Sequence, residues 1–333
     1  MRPGLDADVD RAGFGRRLPL LAPWWRMVED AERILFDHAG RVVELRGRAV
    51  GTLLPPLLPL LDGTHTHAEI LACLGEAAEP SVLKALELLD GHGLLCDGPH
   101  AVGDDAADYV ATSCPDVSPS AARAALSASR VAVHGHAAAA AEVERLLAAA
   151  RVSVERHDLG QRLEPTVDLV VAAPTPAEVA TLRLENAERL EDGVPWLAVL
   201  PPDGRMTTIG PLYVPVRTAC HACFCLRRGA TSGFEDDFDL VESRPVAAPS
   251  PDAFGTAAAG LAVLLALRWL AANDPTLPGV AYALELAGVP TLTAHRVLRV
   301  PRCSACGAAG PPPNPWFKEL ARSDAEHAVH ADS

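Results

Sequence analysis

The sequence predicts an α/β protein in two parts. An N-terminal winged-helix-like module of three strands and three helices precedes an α/β domain with a parallel sheet and a structural zinc site. Three observations carry this expectation. Strand-like runs cluster between residues 24 and 47, and helical patterns follow to residue 95. From residue 130 onward, strand and helix patterns alternate, the order that builds a parallel sheet with crossover helices. Two Cys-x-x-Cys knuckles, "CHAC" at 220–223 and "CSAC" at 303–306, supply four soft thiolates, the donor set of a tetrahedral structural zinc.

The totals bound the function. The chain has 333 residues, and 49% of them are apolar, enough for real cores. A net charge of −14 and a pI of about 5.3 exclude non-specific nucleic-acid binding, which needs a basic surface. The opening "MRPGLDADVDRAGFG" has no apolar stretch of the kind a secretory signal needs. The most apolar run, residues 255–273, contains Arg268 and reads as a buried helix rather than a membrane span. Cytoplasmic residence without membrane attachment is the expectation, and eight cysteines there mean thiols or metal ligands rather than disulfides.

Taken in order, residues 1–22 read as a polar arm. The module spans 23–97. "WWRMVED", "RILFDHAG" and "RVVELRG" are its strands, with "DHAG" turning the second into the third. "AVGTLLPPLLPLLDG" reads as a helix broken by Pro55, Pro56 and Pro59, and "THTHAEILACLG" as a second capped by Thr64 or Thr66. "EPSVLKALELLDGHGLL" gives a third, with Val82, Leu86 and Leu89 on one face. Residues 98–126, rich in Asp, Gly, Pro and Ser, read as a linker in which "ADYVATS" is the one candidate element. The α/β domain spans 127–310. Its strands are "RVAVHG", "RVSVERHD", "VDLVVAAP" and "VPWLAVLP"; its helices are "AAAAEVERLLAAA" and a run capped by Thr175. "RMTTIGPLYVP" reads as an extended excursion, residues 230–252 as a surface loop, and residues 311–333 as a polar tail.

Cys220, Cys223, Cys303 and Cys306 are the candidate zinc ligands. The 79 residues between the knuckles exceed a compact zinc ribbon, so the metal would tie a returning strand, "AHRVLRVPRC", onto the domain. A redox role for either knuckle is the rival reading. Cys225 reads as a bystander, Cys73 and Cys96 as core thiols, and Cys114 as exposed in the linker. His134 and His136 form a His-x-His pair with no acidic or cysteine partner nearby in sequence, and read as strand-end and loop residues.

"GPLYVPVRTACHACFCLRR" and "RVLRVPRCSACG" resemble the ThiF-like proteins of thiazole/oxazole-modified peptide and thiopeptide biosynthesis. "RILFDHAGRVVELRG" and "LLPLLDGTHTHAEI" resemble the precursor-peptide recognition element that precedes the ThiF-like domain in those proteins. The resemblance implies a ThiF/MoeB-like Rossmann-type domain and a non-catalytic role. Such a protein binds the leader of a ribosomal precursor peptide and presents its core to a separate YcaO-type cyclodehydratase, which spends ATP. A homodimer through the α/β domain is compatible with it. Two other readings stand beside it: an ATP-dependent ThiF-type adenylyltransferase, and a winged-helix transcription regulator with a zinc-stabilised domain.

The nucleotide loop separates the first two. An adenylating enzyme presents glycine amides to phosphates at the first strand-to-helix turn. Here "VAVHGHAAAAA" keeps only Gly135. The position for a magnesium-binding acid, after "DLVVA", holds Ala172, Ala173 and Pro174, and Asp168 lies at the other end of that strand. No ATP binding is expected. For the peptide, the family uses the third strand and third helix of the module. The matching positions are Arg41, Val42, Val43, Glu44 and Leu45 on the strand, and Lys84, Ala85 and Leu88 on the helix. An edge strand would add the leader to its sheet, and a proline at position 43 is expected to weaken that pairing. Val42 or Val43, with Ala85 and Leu88, would form an apolar floor, unless they pack the module's own core. Arg41, Arg46 and Arg48 cluster around the edge, and leaders in this family tend to be acidic.

Overall fold

The computed structural model describes residues 15–30, 33–100, 104–163, 166–234, 236–242, 248–286 and 288–307. Contacts divide the chain into two compact units, Met1–Ala128 with Leu267–Asp274, and Ser129–Ala266 with Pro275–Ser333. The expected tail, residues 311–333, and most of the expected N-terminal arm lie outside the described residues.

The first unit begins with a strand in the stretch expected to be a polar arm. β1 (Pro19–Leu21) pairs antiparallel with a strand near residue 96. β2 (Arg26–Glu29), β3 (Arg33–His38) and β4 (Arg41–Arg46) form an antiparallel sheet in that order. The β3–β4 connection is a two-residue turn, Ala39–Gly40, with φ of 48° and 81°. Positive φ at both positions matches the twist of a tight hairpin, and glycine meets it at no steric cost. Alternation then points Val43 and Leu45 inward, beside Ile34 and Phe36 of β3.

The proline-rich run breaks as expected into α1 (Arg48–Thr52), α2 (Leu54–Leu57) and a 3-10 turn at Leu58–Leu60. α3 (His67–Leu74) starts at Thr66, whose side chain and Glu69 form a reciprocal capping box. α4 (Glu79–Gly91) buries Val82, Ala85, Leu86 and Leu89. The chain then forms β5 (Leu95–Asp97), the partner of β1. Two helices occupy the stretch expected to be a linker: α5 (Asp105–Ser113), capped by Asp104, and α6 (Pro119–Ala128). They bury Ala107, Val110, Ala111, Ala122 and Leu126, and group with the first unit.

The second unit holds a seven-stranded sheet. β6 (Arg130–His134), α7 (Ala138–Ala149), β7 (Ser153–His157) and β8 (Leu169–Ala172) open it. A 3-10 turn at Pro176–Thr181, boxed by Thr175 and Glu178, leads into α8 (Leu182–Asp192), and β9 (Trp196–Val199) follows. These four strands are parallel.

β10 (Met206–Tyr213) corrects the all-parallel expectation. The "extended excursion" is a sheet strand, antiparallel to β9. Beyond it come α9 (His221–Thr231), α10 (Phe238–Glu242) and α11 (Asp252–Ala272). α10 lies within the segment expected to be a surface loop, with Phe238 buried. α11 is the one described helix long and apolar enough to cross a membrane, and half of that apolar stretch is buried in the protein. β11 (Val280–Glu285) and β12 (Thr291–Arg296) complete the order β12-β11-β10-β9-β8-β6-β7. The returning strand therefore ends at Arg296, and an irregular stretch carries the chain to Cys303.

Candidate functional site

The two knuckles meet. The sulfurs of Cys220, Cys223, Cys303 and Cys306 all lie within 4.8 Å of one another, and all four residues are buried. Cys220 Sγ is 3.8 Å from both Cys223 Sγ and Cys303 Sγ, and Cys223 Sγ is 3.5 Å from Cys306 Sγ. A tetrahedral zinc with Zn–S of ~2.3 Å sets its sulfurs about 3.8 Å apart, whereas a disulfide would bring a pair to ~2.05 Å. The donor set and spacing fit zinc.

Each knuckle is built for this. Cys220 stands at the N-cap position of α9, so Cys223 sits in the first turn, where the helix dipole favours thiolate. The Val300 N–H donates to Cys223 Sγ at 3.3 Å, and the Gly307 N–H to the Cys303 carbonyl at 2.7 Å. Arg227 holds the incoming stretch through the Leu298 and Arg299 carbonyls, and Arg299 in turn holds the Val216 and Cys306 carbonyls. Burial alone would push the Cys303 thiol up. The backbone N–H groups of Cys306 and Ala305 and the neighbouring thiols outweigh it and bring Cys303 down to about 7. Burial dominates at Cys220 and pushes it up.

The other cysteines divide. Cys225 is half-buried and lies outside the four-sulfur cluster; its sulfur is 3.4 Å from His221 Nε2, and both residues line a cavity of ≈ 510 Å³. His221 is fixed by the Tyr213 hydroxyl at Nδ1, 3.2 Å, and through its backbone N–H by Asn186, 2.8 Å. Burial, reinforced by Arg228 and Arg183, pulls this imidazole down to about 4. Cys96 is a core thiol pushed up to about 12 by burial, but Cys73, expected beside it in the core, is exposed on α3. Cys114 is half-buried rather than exposed.

At the C-terminal ends of the parallel strands, where α/β folds bind ligands, Gly135 has φ of 106°. A Cβ there would stand 2.4 Å from the Ala173 carbonyl oxygen. The glycine is needed for the close approach of two strand ends. α7 starts after Ala137 with no side-chain cap, and Ala172 and Ala173 are fully buried. Asp168 accepts the Arg130 N–H at 2.9 Å, at the opposite end of the sheet.

His134 does have an acidic partner, which its sequence neighbours do not reveal. Its Nδ1 lies 2.8 Å from Glu185 Oε2, both side chains fully buried. Glu185 also pairs with buried Arg189 at 3.0 Å and accepts the Gly160 N–H at 2.6 Å. His136 is exposed and pairs with Asp158 at 2.7 Å.

In the first unit, β4 is an edge strand, with β3 as its one neighbour among the described residues. The Asp30 N–H donates to the Arg33 carbonyl, so residues 33, 35 and 37 bond toward β2. Ladder bonds alternate, which leaves 34, 36 and 38 to bond Leu45, Val43 and Arg41. The main-chain groups of Val42, Glu44 and Arg46 therefore face outward. Val43, Leu45 and Ala85 belong to the core. Val42 is 61% and Leu88 50% exposed, and Lys84 is exposed as well. Of the expected apolar floor, only Val42 and Leu88 are free to meet a ligand. Arg46 and Arg33 both pair with Glu44, and Arg41 lies over the Trp25 ring.

A mixed seven-stranded sheet thus carries a buried four-cysteine cluster, and a smaller unit of β-sheet and helices precedes it in the chain. Solved structures share the fold. The heterocyclase TruD superposes with a TM-score of 0.68 at 21% identity, over 87% of this chain and 43% of that one. A heterocyclase in complex with substrate and cofactor gives 0.67 at 22%, over 88% and 40%. MccB from E. coli gives 0.62 at 13%, over 89% and 99%. This chain thus spans less than half the length of the heterocyclases and nearly all of MccB. No protein-family model matches the sequence, and no curated protein matches it.

Proposed function

We propose that this chain binds the leader of a ribosomally made precursor peptide and presents its core to a separate YcaO-type cyclodehydratase, performing no chemistry itself. The observation that carries the reading is the open edge of β4. Its outward amides and carbonyls at Val42, Glu44 and Arg46 suit a peptide that adds as a fourth strand. A further observation supports it. Similar solved structures include a heterocyclase in complex with substrate and cofactor, and MccB in complex with N-formylated MccA. Zinc held by the four cysteines would be structural, since four protein ligands leave no open position for chemistry.

Fluorescence polarisation of the full chain tests the reading, with the labelled leader of a Cys/Ser-rich precursor peptide, to be sought among the neighbouring genes. Saturable binding of the leader and none of the core is expected. Binding by the core alone would overturn it.

One observation favours a second reading, an ATP-dependent adenylyltransferase. The chain covers 99% of MccB, whose solved structures include one with ATP. Against it stand Gly135, kept for strand packing, and the buried Ala172 and Ala173. Calorimetry with ATP and magnesium separates the two, and micromolar binding would favour the enzyme.

A further inference from the structure

The start of α9 turns Cys220 and Cys223 into the four-sulfur cluster. The opposite side of the same helix lines the cavity of ≈ 510 Å³ with His221, Cys225, Leu226 and Gly229. Helical spacing puts these residues on one stripe. Arg183 and Asn186, about one turn apart on α8, and Phe238 of α10 share the lining. The volume falls within the ~300–1,000 Å³ of small-molecule sites. Gly135, Ala172 and Ala173 are not among its walls.

One end of the cavity is polar and built. Asn186 is 3% exposed, and its Oδ1 accepts the His221 N–H at 2.8 Å. A backbone N–H needs an acceptor, so this bond fixes the side chain's orientation and turns its NH2 group the other way. That group has no acceptor among the described residues, yet it is not sealed inside the protein; it opens onto the cavity. The His221 ring is held on both nitrogens, by the Tyr213 hydroxyl at Nδ1 and the Cys225 sulfur at Nε2, and serves as a fixed wall. The charges that act on that ring are positive, from Arg228 and Arg183. Among the described residues no carboxylate lines the cavity. The rest of the wall is apolar, with Phe238 buried and Leu226 and Ala230 exposed.

We propose that this cavity binds a small carboxylate on an apolar body. The carboxylate takes hydrogen bonds from the Asn186 amide and the Arg183 guanidinium, and Phe238 and Leu226 receive the body. An amine would find no acid in the wall. A nucleotide phosphate asks for backbone amides at a helix start, whereas this wall runs along α9 and does not include its cap, Cys220. Cys225 thereby gains a place in a site, as part of the wall beside the ligand.

Calorimetry of the full, zinc-loaded chain with phenylpropionate and with its amide is the test. The acid is expected to bind saturably with Kd below ~1 mM, and the amide at least ~10-fold more weakly. Arg183 is exposed, so Arg183→Met should keep the fold; it should weaken the acid ~10-fold and leave the amide unchanged, a split that a structural role would not produce. Ala230→Trp, also at an exposed position, should fill the cavity and abolish binding of both. Circular dichroism checks both variants. Alkylation of Cys225 by iodoacetamide, followed by peptide mass, locates the ligand: saturating phenylpropionate should slow it in the wild type and not in Ala230→Trp. No saturable binding of the acid, equal binding of acid and amide, unchanged affinity in folded Arg183→Met, or unprotected Cys225 at saturation would each overturn the proposal. It does not rest on leader binding; a chain that binds the acid and no leader leaves it standing.

Discussion

Val42→Pro and Val43→Pro are adjacent substitutions with opposite expected outcomes. The Val43 N–H bonds toward Phe36 inside the sheet, and its side chain is buried against the module core. Proline there removes a ladder bond and disturbs buried packing, at a cost of ~3 kcal/mol or more. That is a folding lesion, so position 43, which the sequence suggests for a binding test, reports on stability instead. The Val42 N–H faces outward, and its side chain is 61% exposed. Proline at 42 should therefore cost under ~1 kcal/mol of stability. It removes one of the donors an added leader strand would use. A main-chain hydrogen bond contributes about 1 kcal/mol net, and a stranded acceptor on the leader adds ~1 more. Together that is on the order of a 5- to 30-fold rise in Kd. Polarisation with labelled leader reads the affinity, and thermal unfolding by circular dichroism reads the fold. A folded Val42→Pro chain that binds leader like the wild type would refute pairing along this edge.

The metal site gives a second prediction. Purified protein should carry about one zinc, and Cys303→Ser should release it and lower the stability of the second unit; full folding without metal would count against a structural role. Zinc should also be lost as pH falls, because protons compete for the thiolates, which a metallochromic dye would follow. Leu88→Asp should weaken leader binding several-fold with little change in stability, since half of Leu88 is exposed; unchanged polarisation would remove α4 from the groove. For Asp62, burial is outweighed by bonds from the Thr64 hydroxyl, His65 and the Thr64 N–H, which bring it from 3.8 to about 2. Its folded pKa is depressed, so its stabilisation is present above its ordinary pKa and lost as pH falls toward 2; Asp62→Asn should lower the melting temperature at neutral pH and not at the acid end. Gly135→Ala should cost ~2–4 kcal/mol of stability, through positive φ and the clash with Ala173, in urea unfolding; a stable variant would return Gly135 to a ligand-binding role.

What the sequence disclosed depended on how local each signal was. The three strands from residue 26 to 46 were legible because Val, Ile and Leu alternate with polar residues around a tight turn. Thr66 and Thr175 announced their helices through Glu three residues on. The knuckles were legible because two matched thiol pairs make a complete tetrahedral donor set, a pattern that packing alone does not call for. β1 and β5 were not: three residues each is too short for a period, and each is held in place by the other. α5 and α6 hid in an acidic, small-residue stretch, because alanines such as Ala107, Ala111 and Ala122 pack a helix without marking one. The reversal of β10 and the pairing of His134 with Glu185, 51 residues away, exist only in three dimensions.

The outward side of β4 sets what a leader strand laid there would have to carry. Alternate main-chain groups offer generic pairing energy, so the outward side chains must supply the discrimination. Glu44 stands at the centre of the outward set and already holds Arg33 and Arg46. A strand laid there would meet a negative charge flanked by Val42 on one side and a partly neutralised arginine on the other. The complement is a peptide with an apolar residue opposite Val42, no acid opposite Glu44, and any acid it carries placed toward Arg46. An acid set against Glu44 would bring two carboxylates together across the ladder, which is unfavourable. Glu44→Ala should therefore strengthen binding of a leader variant that carries an acid at that register. Polarisation with that labelled variant reads the outcome; equal affinity for wild type and Glu44→Ala would refute the rule.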